Sequence, residues 1–353
     1  MIRVARCVKS LEFSWKKLID SDNGPFYLSY EFHKLLYRNF RWKKFLKWSF
    51  KGKKLMYVCS VKNNDIVAIA PLVLDHHNKT ISFVGNLGEA GYNDFIYDEC
   101  ISTEYLEDII EYLKMQYTEY TFNLLDLRAD SKLCQLYNAK LYRDCYKINV
   151  YKGYEEWLHS LSKNMRQTIR TAYNRLQNDN TDVSFIFTDK VSFGLMIKVY
   201  YIYEKRLLEN KTHAAGKAHA GLKDEIRLFA EFVPKYMGVP FFRGFNEIKR
   251  ARIGYLTINK KVASFIIGYV DGDGIICPRC GFDSKYARYS PGLINMIEVI
   301  KSQSQNTGKF VFDLSRGYHE YKPRMGGVEY DNLAISCNEK LEDNIQSEKK
   351  FII

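Results

Sequence analysis

The chain has 353 residues, 46% of them hydrophobic, and 53 basic against 41 acidic side chains give it a formal net charge of +12. This length predicts two globular domains, and the composition is not that of a low-complexity or disordered chain. The excess of basic residues favours an anionic partner, although basic residues scattered in this way are more typical of a solubilising surface than of a nucleic-acid-binding tail.

The first half predicts helices followed by a meander of strands. Two apolar runs are separated by Asn and Asp residues, which is typical of a β-hairpin. A later segment carries apolar residues at helical spacing. The predicted elements, in chain order, are helix 30–50, strands 55–61, 66–74 and 80–85, helix 104–116 and strand 121–127.

The second half predicts the same order of elements. Residues 209–221, which are rich in Ala, Gly, Lys and His, interrupt it and predict a loop. The predicted elements are helices 157–177, 192–208 and 223–235, a helix after Pro291, and strands 183–187, 241–245, 251–258, 261–270, 275–281 and 309–314.

These elements predict an α+β protein of two tandem domains, each with a mixed, mainly antiparallel sheet flanked by helices. We place the first domain at residues 1–150, the second at residues 151–340 and a polar tail at residues 341–353. The boundary lies near Lys147–Gly153.

Cysteine usage and apolar segments predict the compartment. Eight cysteines are spread along a large chain, which is typical of free thiols in a reducing cytoplasm. Residues 1–18 lack the apolar core of a secretory signal. The longest apolar runs, Ile66–Leu74 and Val262–Val270, are too short to cross a membrane and predict buried strands. We therefore expect a cytoplasmic protein without a membrane span.

The segment Phe282–Ile300 joins a strand to a helix. Pro291 suits the first helical position and Ser290 suits an N-cap. Backbone N–H groups at a helix start favour a phosphate or pyrophosphate, and Lys285 and Arg288 would add charge. An ordinary capped helix after a surface loop is the commoner structure with this pattern.

The segment Phe312–Gly327 follows a strand and concentrates charged and aromatic side chains beside three glycines. Loops at strand ends often carry binding groups. Asp313 is a candidate to orient Arg316, and Lys322 is a candidate to meet an anion. A solvated charged loop is the alternative.

Two further segments are candidates for substrate contact. The helix over 162–175 places Arg166 on a basic face, which is more often solvated than ligand-bound. The Gly-rich turn 85–96 carries Tyr92, Asn93 and Asp94, and a turn whose glycines adopt positive φ is an equally good interpretation.

Cys277-Pro-Arg-Cys280 matches a CxxC pattern, but the sequence contains no second pair at zinc-ligand spacing. We therefore expect no metal site. A redox pair is disfavoured because the motif falls within a predicted strand instead of opening a helix. Two buried or sheet-edge thiols are the better interpretation.

Taken in order, these motifs resemble the GNAT-fold acetyltransferases typified by CelD-like cellulose-biosynthesis proteins, which are relatives of the Fem-type aminoacyltransferases. The resemblance covers roughly residues 25–335. The segments that carry it are Ile69–Leu72, Gly85–Phe95, Leu161–Arg170, Tyr289–Gly292, Phe312–Gly317 and Tyr321–Lys322.

The resemblance implies tandem GNAT domains with a cleft between them and an acyl-CoA donor, such as acetyl-CoA, whose pyrophosphate binds before the Pro291 helix. Arg288–Gly292 departs from the usual GNAT pattern Gln/Arg-x-x-Gly-x-Gly/Ala, which leaves the donor open. Lys322 and Asp94 match, by position, a lysine and an aspartate of the Fem-like relatives. The predicted donor-binding residues are Cys280, Gly281, Phe282, Arg288, Tyr289, Ser290 and Gly292.

Acyl transfer needs positioning, removal of a proton and stabilisation of an oxyanion. Backbone N–H groups near Cys280–Phe282 are candidates to polarise the thioester carbonyl. Asp94, Asp313 and His319 are the candidate bases. The predicted substrate-binding residues are Tyr92, Asn93, Arg166, Arg316, Tyr321 and Lys322.

Three hypotheses follow. The first is an acyl-CoA-dependent N- or O-acyltransferase acting on a nucleotide-linked or phosphorylated sugar or another cell-envelope precursor. The second is a Fem-type transferase that uses aminoacyl-tRNA, which is the only setting in which we expect nucleic-acid binding. The third is a non-catalytic GNAT-like protein that binds partners in polysaccharide assembly. The sequence leaves the oligomeric state open.

Overall fold

A computed structural model of the chain describes residues 1–19, 23–46, 50–87, 90–214, 242 and 244–336. The predicted helix 223–235 and the predicted tail 341–353 lie outside the described residues. The chain divides into two compact units, one formed by Met1–Cys145 together with the segment from Tyr330 onward, and the other by Tyr146–Glu329.

The described helices include those that the sequence predicts at 30–50, 104–116, 157–177 and 192–208 and after Pro291, and three short helices that it does not predict, Glu12–Leu18, Lys132–Leu136 and Tyr321–Arg324. Their bounds are α1 Glu12–Leu18, α2 Tyr30–Leu46, α3 Glu104–Gln116, α4 Lys132–Leu136, α5 Tyr154–Ser160, α6 Lys163–Asn178, α7 Phe193–Ala214, α8 Pro291–Thr307 and α9 Tyr321–Arg324. Short 3₁₀ turns at Val8–Leu11, Phe26–Leu28, Val84–Leu87, Phe245–Glu247 and Ser284–Tyr289 link some of them.

The strands include four that the sequence analysis did not predict, namely β1, β5, β7 and β13. The strand bounds are β1 Ile2–Ala5, β2 Lys53–Lys62, β3 Asp65–Asp75, β4 Thr80–Phe83, β5 Ile96–Tyr97, β6 Thr121–Arg128, β7 Lys140–Val150, β8 Val183–Thr188, β9 Ala251–Ile258, β10 Lys261–Asp271, β11 Gly274–Phe282, β12 Phe310–Arg316 and β13 Gly327–Ser336.

In the first unit, the strand order is β1-β2-β3-β4-β6, with β5 paired to β3. Neighbours are antiparallel except β4 and β6, which run parallel from Thr80 opposite Thr121. The end of β13 pairs antiparallel with β6, with Leu333 opposite Leu127. Helix α3 connects the parallel pair and buries Leu106, Ile109, Ile110 and Leu113 against the sheet.

The second unit repeats this arrangement with the strand order β12-β11-β10-β9-β8. Strands β9, β10 and β11 form an antiparallel meander, α8 follows, and β12 returns parallel to β11. The series β2-β3-β4-α3-β6 and β9-β10-β11-α8-β12 therefore have the same order and the same strand directions. A core of apolar side chains from α5, α6 and α8 covers one face of this sheet.

The fold class predicted from the sequence, an α+β protein of two related halves, is confirmed. Both predicted hairpin turns are present, and Asn63, Asn64, Asn259 and Lys260 adopt the positive φ that such turns require.

Several details of the prediction were wrong. The single helix predicted over 157–177 is two helices, because Ser162 caps the start of α6 by accepting a hydrogen bond from the Met165 N–H. Residues Glu209–Ala214 of the predicted loop continue α7. Phe245, predicted to end a strand, begins a 3₁₀ turn instead.

Candidate functional site

Strands β11 and β12 of the second unit separate partway along their length. They are paired only from Gly274 opposite Val311 to Ile276 opposite Asp313. Beyond Ile276, strand β11 continues to Phe282 and pairs with β10 but no longer with β12. A parallel pair that separates in this way leaves backbone N–H and C=O groups of Cys277–Phe282 facing the gap, where they are available to a ligand.

A β-bulge lies where the two strands begin to separate. Ile276 pairs with Tyr269 and Arg279 pairs with Ile267, so three steps on β11 oppose two on β10. Pro278, which cannot donate a ladder hydrogen bond, lies within this bulge. In a regular strand, residues three apart point to opposite faces. The extra residue of the bulge shifts this alternation, so Cys277 and Cys280 lie on the same face of β11.

The two thiols interact with one another. Cys277 is buried and Cys280 is exposed to solvent. The Cys277 Sγ donates to the Arg279 carbonyl oxygen at 3.6 Å. Interaction with the Cys277 thiol, followed by the nearby Lys322 ammonium and Tyr321 hydroxyl, lowers the pKa of Cys280 to about 7, although desolvation raises it. The same interaction raises the pKa of Cys277. Cys280 is therefore partly ionised at neutral pH.

Lys322 on α9 is 1% exposed. Its Nζ donates hydrogen bonds to the carbonyl oxygens of Ser315, Arg316 and Gly317, at 3.0, 2.9 and 2.8 Å. Ser315 and Gly317 adopt positive φ, which turns the carbonyls towards the ammonium group. The predicted ligand-binding lysine thus holds the end of β12 in place and provides a fixed positive charge beside the thiol pair.

Tyr321 and His319 complete this cluster, which we call the thiol cluster and define as Cys277, Cys280, His319, Tyr321 and Lys322. The Tyr321 hydroxyl lowers the pKa of the Cys280 thiol. The His319 and Tyr321 rings stack with centroids 5.8 Å apart. Desolvation and the Lys322 ammonium lower the pKa of His319, so its imidazole is neutral at pH 7.

Helix α8 follows β11 after the 3₁₀ turn Ser284–Tyr289. Pro291 occupies its first position, and the Ile294 N–H donates to the Ser290 carbonyl at 3.2 Å. The N–H groups of Gly292 and Leu293 precede this first helical bond and therefore have no intrahelical acceptor. Buried Ser264 holds the helix start by donating to the Pro291 carbonyl at 2.8 Å.

Ser290 differs from the prediction in one respect. It occupies the N-cap position, but it adopts a left-handed conformation with φ 52° and ψ 49°, and its side chain makes no capping hydrogen bond. The capping side chain predicted here is therefore wrong, because a left-handed residue directs its hydroxyl away from the first-turn N–H groups.

Arg288 and Tyr289 lie at the end of the 3₁₀ turn and share one carboxylate. Arg288 Nη2 lies 2.8 Å from Asp179 Oδ2, and the Tyr289 hydroxyl donates to the same oxygen at 2.6 Å. Arg175 donates to the Arg288 carbonyl at 2.7 Å. The Arg288 side chain is still 64% exposed. These contacts fix the position of the basic group beside the start of α8 and leave much of its surface open.

The remaining candidates of the second unit have structural partners. Arg166 donates to the carbonyl oxygens of His159 and Leu161, both at 2.6 Å, and so caps the end of α5. The Asp313 carboxylate accepts a hydrogen bond from the Ser315 N–H at 2.7 Å. Arg316 is half-buried at the end of β12. Gly281 lies against Phe265, which a Cβ atom there would approach to 2.9 Å.

Tyr92, Asn93 and Asp94 lie in the first unit, all buried. Asp94 accepts hydrogen bonds from Ser131 Oγ at 2.9 Å and from the Phe95 N–H at 2.7 Å. The Tyr97 hydroxyl donates to its other oxygen at 3.1 Å. Burial raises the pKa of Asp94 to about 7 in spite of these donors. Asp94 is therefore central to a buried network that orders its own turn.

Sequence reasoning missed two features of the site. It noted the cysteine pair but assigned no role to Cys277, although Pro278 within a predicted strand is the signal that a bulge brings both thiols to one face. It also missed Asp179, the carboxylate that pairs with Arg288, because the two residues are distant in sequence and meet only through packing of α6.

Comparisons with known proteins agree with this geometry. Residues 163–323 match the family model described as "Acetyltransferase (GNAT) domain". This match covers α6 to α9 and includes the strand separation and the thiol cluster. The second unit thus has the GNAT acyltransferase fold. No curated protein matches the sequence.

Several solved structures are similar along nearly the whole chain. FemX is 11% identical, with a TM-score of 0.56, over 97% of this chain and 99% of that one. L-PGS from Bacillus licheniformis is 11% identical, with a TM-score of 0.56, over 98% and 97%. A conserved protein of unknown function from Bacteroides thetaiotaomicron VPI-5482 is 11% identical, with a TM-score of 0.55, over 96% and 100%. At this identity the likeness concerns the fold.

Across the described residues, we find no helix with the length and hydropathy needed to cross a membrane.

Proposed function

We propose that this protein is an acyltransferase that moves an acyl group from acyl-CoA to an amine or hydroxyl group. The observation that carries the proposal is the separation of β11 and β12 after Ile276, at a bulge, inside the segment that matches the GNAT acetyltransferase family. The gap offers backbone groups to an acyl thioester, and the N-terminus of α8 follows from the same strand.

The start of α8 has the chemistry to bind a diphosphate. The N–H groups of Gly292 and Leu293 have no intrahelical acceptor, and the helix dipole adds partial positive charge. Arg288 and Lys285 lie on the preceding turn. The Asp179 and Asp283 carboxylates pair with these two cations, yet both cationic side chains remain more than half exposed and are available to an anion.

CoA supplies the reaction with an activated acyl carbonyl in a thioester. We assign the backbone N–H groups near Cys280–Phe282 to the carbonyl oxygen, where they would stabilise the developing oxyanion. His319 is the best candidate base, because its imidazole is neutral at pH 7. The buried Asp94 and the hydrogen-bonded Asp313 have less suitable surroundings for this role.

A direct experiment is to measure the binding of CoA and acetyl-CoA by calorimetry and to follow the release of free CoA thiol with panels of amine and hydroxyl acceptors. Binding by both nucleotides and acceptor-dependent release of CoA are expected. Dephospho-CoA and pantetheine are matched probes, and pantetheine, which lacks the diphosphate, should bind much more weakly. A protein that binds neither CoA nor acetyl-CoA would exclude the proposed donor.

The second candidate function is a Fem-type transfer from aminoacyl-tRNA. It is favoured by the whole-chain fold similarity to FemX and to L-PGS and by the net charge of +12. An electrophoretic shift with total tRNA at several salt concentrations separates the two candidates. Tight, salt-dependent tRNA binding without CoA binding would select the Fem-type function.

For the acceptor, we propose a sugar or cell-envelope precursor. The proposal rests on the resemblance of the ordered motifs to the CelD-like group and on the excess of basic residues, which suits a phosphorylated or nucleotide-linked acceptor. Competition by nucleotide sugars for the rate of CoA release tests it. If neutral amines are acylated faster than every nucleotide-linked acceptor, a different acceptor class must be sought.

A further inference from the structure

Within the second unit, Cys280 differs from an ordinary sheet thiol. It is exposed, it follows the bulge, and it lies on the stretch of β11 that no longer pairs with β12. Three polar groups lower the pKa of its thiol, namely the Cys277 thiol, the Lys322 ammonium and the Tyr321 hydroxyl.

The arrangement stabilises a thiolate at Cys280 and not at Cys277. Cys277 is buried in the core with its Sγ 3.6 Å from the Arg279 carbonyl oxygen, and its pKa is raised, whereas the pKa of the exposed Cys280 is lowered by Cys277, Lys322 and Tyr321. The Lys322 ammonium is held by three backbone carbonyls, so it cannot turn away from the cluster. A thiolate next to a positive charge and hydrogen-bond donors is the reactive form of cysteine.

We propose that Cys280 is a nucleophile that accepts the acyl group from the thioester donor and carries it as a thioester before passing it to the acceptor. The proposal rests on the acyl transfer proposed above and adds a covalent intermediate to it. Cys277 and Tyr321 act as positioning residues, and the substrate class is a thioester with an accessible acyl carbon.

The step balances without a further reactant. The Cys280 thiolate attacks the acyl carbon, a sulfur–carbon bond forms, and the bond to the donor sulfur breaks, so the donor leaves as a thiolate that takes up a proton from water. In the second half, the acceptor amine or hydroxyl attacks the Cys280 thioester. His319 takes the acceptor proton, and the Cys280 thiolate is released.

The first test uses full-length protein and acetyl-N-acetylcysteamine, a small thioester that lacks the CoA nucleotide. Intact-protein mass spectrometry should detect the addition of one acetyl group, and peptide mapping should assign it to Cys280. Neutral hydroxylamine should remove it, as expected for a thioester. Because this probe does not need the diphosphate site, acylation of Cys280 is measured separately from CoA binding.

Three variants test whether the acetyl group is carried by Cys280 and whether Cys277 affects its ionisation. Cys280→Ser should lose the hydroxylamine-sensitive adduct, while Cys100→Ser, which removes another exposed thiol in the first unit, should keep it. Cys277→Ala should keep Cys280 as the modified residue but move the pH midpoint of its alkylation by iodoacetamide upward, towards the ordinary cysteine value of about 8.5. A structural role for Cys277 alone would leave that midpoint unchanged. Thermal unfolding of each variant shows whether it folds.

The outcomes are distinct. Acylation of Cys280 by the small thioester, with or without CoA binding, supports the nucleophile. If the wild type forms no adduct and Cys280→Ser transfers the acetyl group from acetyl-CoA at an unchanged rate, Cys280 is not a nucleophile. That result would leave the proposed acyltransferase function unaffected. Adducts spread evenly over the exposed cysteines would also overturn the proposed nucleophile.

Discussion

The ammonium nitrogen of Lys322 lies 2.8 Å from the carbonyl oxygen of Gly317, a residue with φ 84°. This bond and the two beside it join α9 to the end of β12. They fix the position of the Lys322 charge within the thiol cluster, and they depend on a backbone turn that positive φ makes possible.

Replacing Lys322 should therefore destabilise the second unit. Lys322→Met keeps the length of the side chain but leaves three carbonyls without their donor, and we expect a loss of about 3 kcal/mol in the free energy of unfolding. Urea unfolding followed by circular dichroism measures it. Lys163→Met, at an exposed position of α6, is the control and should change stability by less than about 0.5 kcal/mol. Equal stability of the two variants would contradict the role of Lys322.

His319→Asn should lower kcat by about 100-fold, because it removes the proposed base and keeps a polar side chain of similar size. In the wild type, kcat/KM should rise with pH through a midpoint below 6.5 and then stay level, since desolvation and Lys322 lower the pKa of His319. Lys322→Gln should move this midpoint to higher pH. A midpoint at or above pH 6.5, or one that Lys322→Gln leaves unchanged, would exclude His319 as the base.

Arg288→Ala should weaken CoA binding about fivefold without lowering the thermal unfolding temperature, because the arginine is 64% exposed and its pair with Asp179 is a surface ion pair. The effect should shrink at high salt. Arg3→Ala, an exposed arginine of the first unit, should leave the affinity unchanged. Calorimetry at two salt concentrations measures both. Normal CoA binding by Arg288→Ala would move the donor site elsewhere.

The buried Asp94 should make stability depend on pH. Its pKa rises from 3.8 to about 7 on folding, so the folded state binds the proton more tightly. Stability should then fall as pH increases from 4 to 7, by roughly 4 kcal/mol at most, and level off above. Asp94→Asn should flatten this slope. Asp108→Asn, at an exposed position of α3, should not. Unfolding free energies measured at several pH values test this, and parallel slopes for all three proteins would refute it.

Gly274 allows the close approach of β11 and β12. A Cβ atom at this position would lie 2.3 Å from the Val311 carbonyl oxygen, so Gly274→Ala should destabilise the protein by about 3 kcal/mol and reduce transfer activity. Gly194→Ala, where a Cβ atom meets nothing within 4 Å, is the matched control in α7. It should be neutral or slightly stabilising, because alanine favours helix. Chemical denaturation of both variants provides the comparison.

The local elements were predictable because each has a strong local signal. The alternation and turn residues around Asn63 and Asn259 predicted the hairpins, and Pro291 predicted the start of α8. Strands β7 and β13 were not predicted. Each crosses the division between the units, β7 at Cys145 and β13 at Tyr330.

The sequence by itself determined the α+β class, the repeated order of strands and helices, and the segments in which candidate residues lie, since periodicity and turn chemistry act over a few residues. The tertiary structure decided what those residues do. Arg166 caps a helix, Asp94 lies in a buried network, and Lys322 holds three carbonyls. Only the pairing of β11 with β10 shows that Cys277 and Cys280 share a face, because a bulge is defined by the partner strand and not by the strand that contains it.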